Sequence, residues 1–107
     1  MNNFTIRIAG NTEAPCYWAI KEKGYDIQIV ECFLTNKEGT DCRYLIEAKK
    51  EHRLFSATDV YELFALISMW EVRGDNWQVS KEEISLYFDL KDKAPLFDME
   101  GNELEND

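Results

Sequence analysis

Ser56-Ala57-Thr58-Asp59-Val60-Tyr61-Glu62-Leu63-Phe64-Ala65-Leu66-Ile67-Ser68-Met69-Trp70-Glu71-Val72-Arg73-Gly74-Asp75-Asn76-Trp77 is the stretch whose reading decides the fold. Val60, Leu63, Phe64, Ile67 and Trp70 recur at three- and four-residue intervals, the spacing that lines one face of an α-helix. Ser56 with Asp59 has the form of a capping box, Thr58 is the other candidate cap, and Gly74 stands where a left-handed C-terminal cap belongs. Tyr61, Leu66 and Met69 widen the apolar stripe until little of the helix surface is polar, which marks a helix covered on more than one side. This is the expected core helix.

Downstream, Ser80-Lys81-Glu82-Glu83 repeats the capping-box pattern, and Ile84, Tyr87 and Phe88 follow at helical spacing, so a second helix is expected over 81–91. Pro95 ends it. Residues 98–107 carry five acidic side chains and no basic one, so an acidic tail without fixed structure is expected beyond a single domain of residues 1–97.

Upstream, Tyr25 to Leu34 and Cys42 to Ala48 alternate around the polar, glycine-containing turn 36–41, the pattern of a β-hairpin. Arg53-Leu54-Phe55 is a short further strand candidate. Phe4, Ile6 and Ile8 alternate with Thr5 and Arg7, which predicts an opening strand over 3–9. Asn11 or Thr12 then caps a helix over 13–23, with Pro15 in its first turn and Gly24 closing it. The order β-α-β-β-(β)-α-α describes an α+β domain: a mostly antiparallel sheet of three or four strands with three helices.

Composition bounds the function. With 107 residues, 45% of them hydrophobic, the chain is long enough for one core without metals or disulfides. No apolar run approaches the roughly 20 residues of a membrane span. The first residues lack a secretory signal's basic and apolar regions, so a cytoplasmic location is expected. Three cysteines without a CxxC pair suit reduced thiols, and a single histidine, His52, leaves no usual structural zinc set. No cofactor is expected. The formal charge of −9 disfavours direct contact with nucleic acid and favours a basic partner.

Nothing in the chain is a specific catalytic signature, and no enzyme activity is expected. Cys16 is the best thiol candidate, because it lies in the first turn of a helix, where a thiol pKa is lowered. Pro15-Cys16-Tyr17-Trp18 resembles the glutaredoxin active-site turn, yet Trp18 stands where the second cysteine belongs. A packed structural cysteine is the plainer reading. His52, between charged neighbours in a turn, reads as solvent-exposed.

Trp70, Glu71, Arg73, Gly74, Asp75 and Trp77 form the most distinctive cluster. Its architectural reading has Trp70 packed inward, Arg73 paired with a carboxylate and Trp77 filling the gap between the last two helices. Its functional reading makes Trp70, Arg73, Asp75 and Trp77 a contact surface for a protein partner, since tryptophan and arginine are enriched at interface hot spots. The stretch Leu66 to Trp77 resembles small bacterial proteins of the toxin-immunity kind. That resemblance implies an inhibitor that binds and neutralises a basic toxin, a nuclease being the class that suits an acidic partner. A thiol-dependent redox enzyme using Cys16, and a regulatory or accessory module without activity, are the alternatives.

Overall fold

The computed structural model describes residues 3–105. Among them, three helices and two antiparallel sheets form an α+β fold. The chain divides into two compact units, one ending at Asp75 and one starting at Asn76.

In the first unit, helix α1 (Glu13–Glu22) follows a short 3-10 turn at Gly10–Thr12 and leads into strands β1 (Asp26–Leu34), β2 (Cys42–Lys50) and β3 (Arg53–Ala57), then helix α2 (Val60–Arg73). The sheet runs β1-β2-β3, antiparallel throughout, with a bulge at Val30 between Ile29 and Glu31. The register sets Ile46 opposite both Ile29 and Ala57, and Ala48 opposite both Ile27 and Phe55. Because side chains alternate along a strand, those six residues share one face. Ile46, Ala48 and Ala57 of that face are buried with Ile20 of α1 and with Val60, Leu63 and Ile67 of α2. Tyr25 completes the core. The other face carries Asp26, Gln28, Glu47 and Lys49 together with the exposed Leu54.

Local chemistry sets the ends of these elements. The Asp59 carboxylate accepts the Glu62 amide at 2.8 Å and caps α2. Ser56, expected as the cap, pairs with Glu47 in the β2–β3 ladder instead, because β3 continues to Ala57. Gly74 ends α2 with φ +80° and ψ −163°, a region open to glycine and essentially closed to other residues, while its amide donates to the Trp70 carbonyl at 2.7 Å. Lys50 Nζ donates to the Lys23 carbonyl at the end of α1, at 2.8 Å. His52 lies in the exposed two-residue turn between β2 and β3.

Residues 3–9, whose alternation predicts a strand, join no ladder. The reason is positional. Ala9 is held by Thr12 and by the Tyr61 hydroxyl, which donates to the Ala9 carbonyl at 3.2 Å, and the preceding residues leave the sheet untouched. Periodicity of two marks a chain able to pair; it does not supply the partner.

The second unit holds helix α3 (Lys81–Asp92) and a small hairpin of β4 (Leu96–Phe97) and β5 (Glu103–Leu104). Ser80 and Glu83 close a reciprocal capping box: the Glu83 amide donates to Ser80 Oγ at 3.1 Å and the Ser80 amide to Glu83 Oε1 at 3.0 Å. Where composition suggested an unordered tail from residue 98, Leu96 pairs with Leu104 and Phe97 with Glu103. The turn between them is organised by Asp98, whose carboxylate accepts the amides of Glu100 at 3.0 Å and Asn102 at 2.8 Å. Those amides hold the Asp98 carboxyl below the usual carboxylate range, that of Asn102 most strongly. Asn106 and Asp107, the last residues of the expected tail, lie outside the described residues. Among the described residues no helix is long and apolar enough to cross a membrane.

Candidate functional site

The C-terminal turn of α2 delivers Trp70 and Glu71 to the end of the sheet where β2 turns into β3. Three cations meet them there: Lys23 after α1, Lys50 at the end of β2 and Arg53 at the start of β3. Lys23 Nζ pairs with Glu71 at 2.8 Å. The Arg53 guanidinium lies over the Trp70 ring, 4.4 Å from its centroid, and reaches both Asp75 carboxylate oxygens at 3.0 Å. Trp70 Nε1 donates to Asp75 Oδ1 at 2.8 Å. The hydrogen bond from Trp70, then that from Arg53 with its charge, keeps the Asp75 carboxyl below its ordinary range.

Behind this polar layer runs an aromatic row. Phe55 lies 5.9 Å from both Trp70 and Tyr25, the latter in an edge-to-face arrangement. Lys50 sits 5.4 Å from the Tyr25 ring centre, within cation–π range. Burial raises the Tyr25 hydroxyl pKa, and the Glu71 charge adds to the rise. Together Tyr25, Lys50, Glu51, Arg53, Trp70 and Glu71 line a pocket of about 160 Å³. The site presents an aromatic face, fixed charges of both signs and a small recess.

Of the four residues singled out in sequence, Trp70 and Asp75 are brought together by a direct hydrogen bond. Arg73 is exposed on the last turn of α2, and the guanidinium that clasps Asp75 is that of Arg53. Trp77 belongs to the second unit and is 43% exposed. Sequence reasoning missed Arg53 because the pair spans 22 positions, and only the packing of α2 back along β3 brings its ends together. It also gave no role to the exposed aromatics of α3, Tyr87 and Phe88, whose rings lie 5.6 Å apart with Lys91 beside them.

The formal charge is unevenly shared. Residues 76–107 hold nine acidic and three basic side chains, a net −6, whereas residues 1–75 hold twelve and nine, a net −3.

Cys16 sits in the first turn of α1, half-buried against the core. Cys32 and Cys42 lie on facing strands of the hairpin, and the hydrogen bond with Cys42 is the main cause of a raised Cys32 thiol pKa. A raised pKa leaves little thiolate at neutral pH. Among the described residues no group of three or more His, Cys, Asp or Glu side chains is placed to hold a metal ion. Compared with known proteins, the chain matches no family model, no curated protein and no solved structure.

Proposed function

We propose that this chain is a small acidic binding protein of the immunity type, which neutralises a basic bacterial toxin in the cytoplasm by direct contact and without catalysis. A nuclease is the toxin class that fits best, because a nuclease must present cations to the phosphate backbone and an acidic partner can occupy them. The observation that carries this reading is the coincidence of charge and exposed aromatic surface. Net −6 falls on the 32 residues from Asn76 on, the same segment that exposes Trp77, Tyr87 and Phe88. Charge steers encounter, and desolvated aromatic side chains supply the slow dissociation of a tight complex. The patch of Trp70, Arg53 and Asp75, with Arg73 exposed on the same turn of α2, offers a second contact surface of mixed charge.

The test is capture of the partner from cells of the native host, followed by binding kinetics across a salt series. The Debye length falls from about 10 Å at 0.1 M to about 3 Å at 1 M, so association should slow steeply over that range. Dissociation should change much less. Charge reversal at Glu82 and Asp92, both exposed, should reduce the association rate further at low salt. Capture of an acidic partner, or an association rate indifferent to salt, would defeat the electrostatic basis of the proposal.

A further inference from the structure

The segment Phe4-Thr5-Ile6-Arg7-Ile8 is built to be a strand and has no strand to pair with. Phe4 is 90% exposed and Ile6 and Ile8 are each 75% exposed, although the three alternate with polar residues as one face of a sheet would. A few residues further on lies the complementary surface. Among the described residues β1 is an edge of the sheet, nine residues long, with Ile29, Val30, Phe33 and Leu34 exposed. Beside its first half runs an apolar groove of about 350 Å³, lined chiefly by Ala14, Tyr17, Ile27, Ile29, Ile46 and Val60. A long apolar edge of this kind is a template for another strand.

Geometry decides whose strand fills it. Ala9 is tied in place by Thr12, whose hydroxyl donates to the Ala9 carbonyl at 2.7 Å, and by Tyr61 of α2, so the root of the segment is fixed and its apolar face stays off its own groove. That root nevertheless borders the groove, because Gly10 is part of its rim. Donor segment and acceptor groove thus belong to one surface patch. A self-complementary patch is what a two-fold contact between identical chains requires.

We propose that two copies of this chain form a dimer by strand exchange, residues 4–8 of each adding to the outer edge of β1 of the other. Phe4, Ile6 and Ile8 enter the partner's groove. Thr5 and Arg7 turn to the opposite face, where β1 presents Asp26 and Gln28, so the one cation of the segment meets an acidic neighbour. The backbone of each segment gains a ladder, and both exposed apolar surfaces are covered at once.

The experiment measures the mass of the full chain in solution by sedimentation equilibrium at micromolar concentrations. The expected mass is twice the chain's 12.6 kDa. Ile6→Asp in the donor and Ile29→Asp in the acceptor should each give a folded monomer with unchanged circular dichroism, since both side chains are exposed in a single copy. Mixing the two variants restores one intact contact of the two, so heterodimer should form where neither variant dimerises alone. A monomeric unsubstituted protein overturns the proposal, including one whose residues 4–8 are protected from amide exchange by pairing within the chain. So does a dimer that survives both substitutions, or two variants that stay monomeric on mixing.

Discussion

Helices α2 and α3 begin with caps of similar quality and run for 14 and 12 residues with comparable apolar spacing, yet the units around them differ in kind. The first unit buries eight apolar side chains, three of them on α2. Among the described residues the second unit buries none, and Phe88 of α3 is 52% exposed. Caps and periodicity decide where a helix starts and which face it prefers. Whether the helix is held depends on the surface it meets, and an isolated helix of about a dozen residues is marginal in water.

The largest expected effect breaks or confirms that contrast. Leu63→Ala or Ile67→Ala should cost about 2–5 kcal/mol, since each side chain is fully buried and the space it leaves cannot easily collapse. Phe88→Ala should cost about 1 kcal/mol or less, as for a surface change. Denaturant unfolding of the three variants measures both. A Phe88→Ala loss equal to that of Leu63→Ala would mean that α3 is held as firmly as α2.

Removing the caps sharpens the same comparison at a smaller scale. Asp59→Ala and Ser80→Ala should each destabilise their helix by about 1 kcal/mol. In α2 the loss should move the global unfolding midpoint, because that helix forms part of the buried core. In α3 it should appear as faster amide exchange in residues 81–84, with little change in the global midpoint. Equal midpoint shifts from the two substitutions would indicate one cooperative body.

The elements most legible in the sequence were those whose signals are local. The hairpin of β1 and β2 follows from alternation around a glycine turn, and α3 from Ser80 and Glu83. The local pattern offers Ser56 or Thr58 as the cap of α2; the structure instead draws Ser56 into the ladder opposite Glu47 and gives the Glu62 amide to Asp59. Residues 3–9 carry a strand's pattern without a strand's partner. Scarcity of apolar residues makes the tail look unordered, and what Asp98 does with the amides of Glu100 and Asn102 carries no apolar signal. Within the site, Trp70 and Asp75 are close in the chain and legible in it. Arg53 is not, because a pair made between the start of β3 and the end of α2 leaves no periodic trace.

The smallest expected effect belongs to that pair and depends on pH. Asp75 has a lowered pKa in the folded protein, first from the Trp70 hydrogen bond and then from Arg53. The folded state therefore binds a proton less readily than the unfolded chain, whose aspartate titrates near about 3.9. The stabilisation is complete above that value and is lost as pH falls through the lower folded pKa. Because the carboxylate is exposed, solvent and salt screen the contribution, and it should be modest. Asp75→Asn removes the charge while keeping an acceptor for Trp70, so it isolates the ionic part. Denaturant midpoints of the two proteins should differ by a constant amount from pH 7 to about pH 5, then converge as the native carboxylate protonates. Added salt should narrow the gap at neutral pH. A gap unchanged down to pH 2 would assign the effect of the substitution to shape and hydrogen bonding, and the Arg53 clasp on Asp75 would then hold the end of α2 without help from charge.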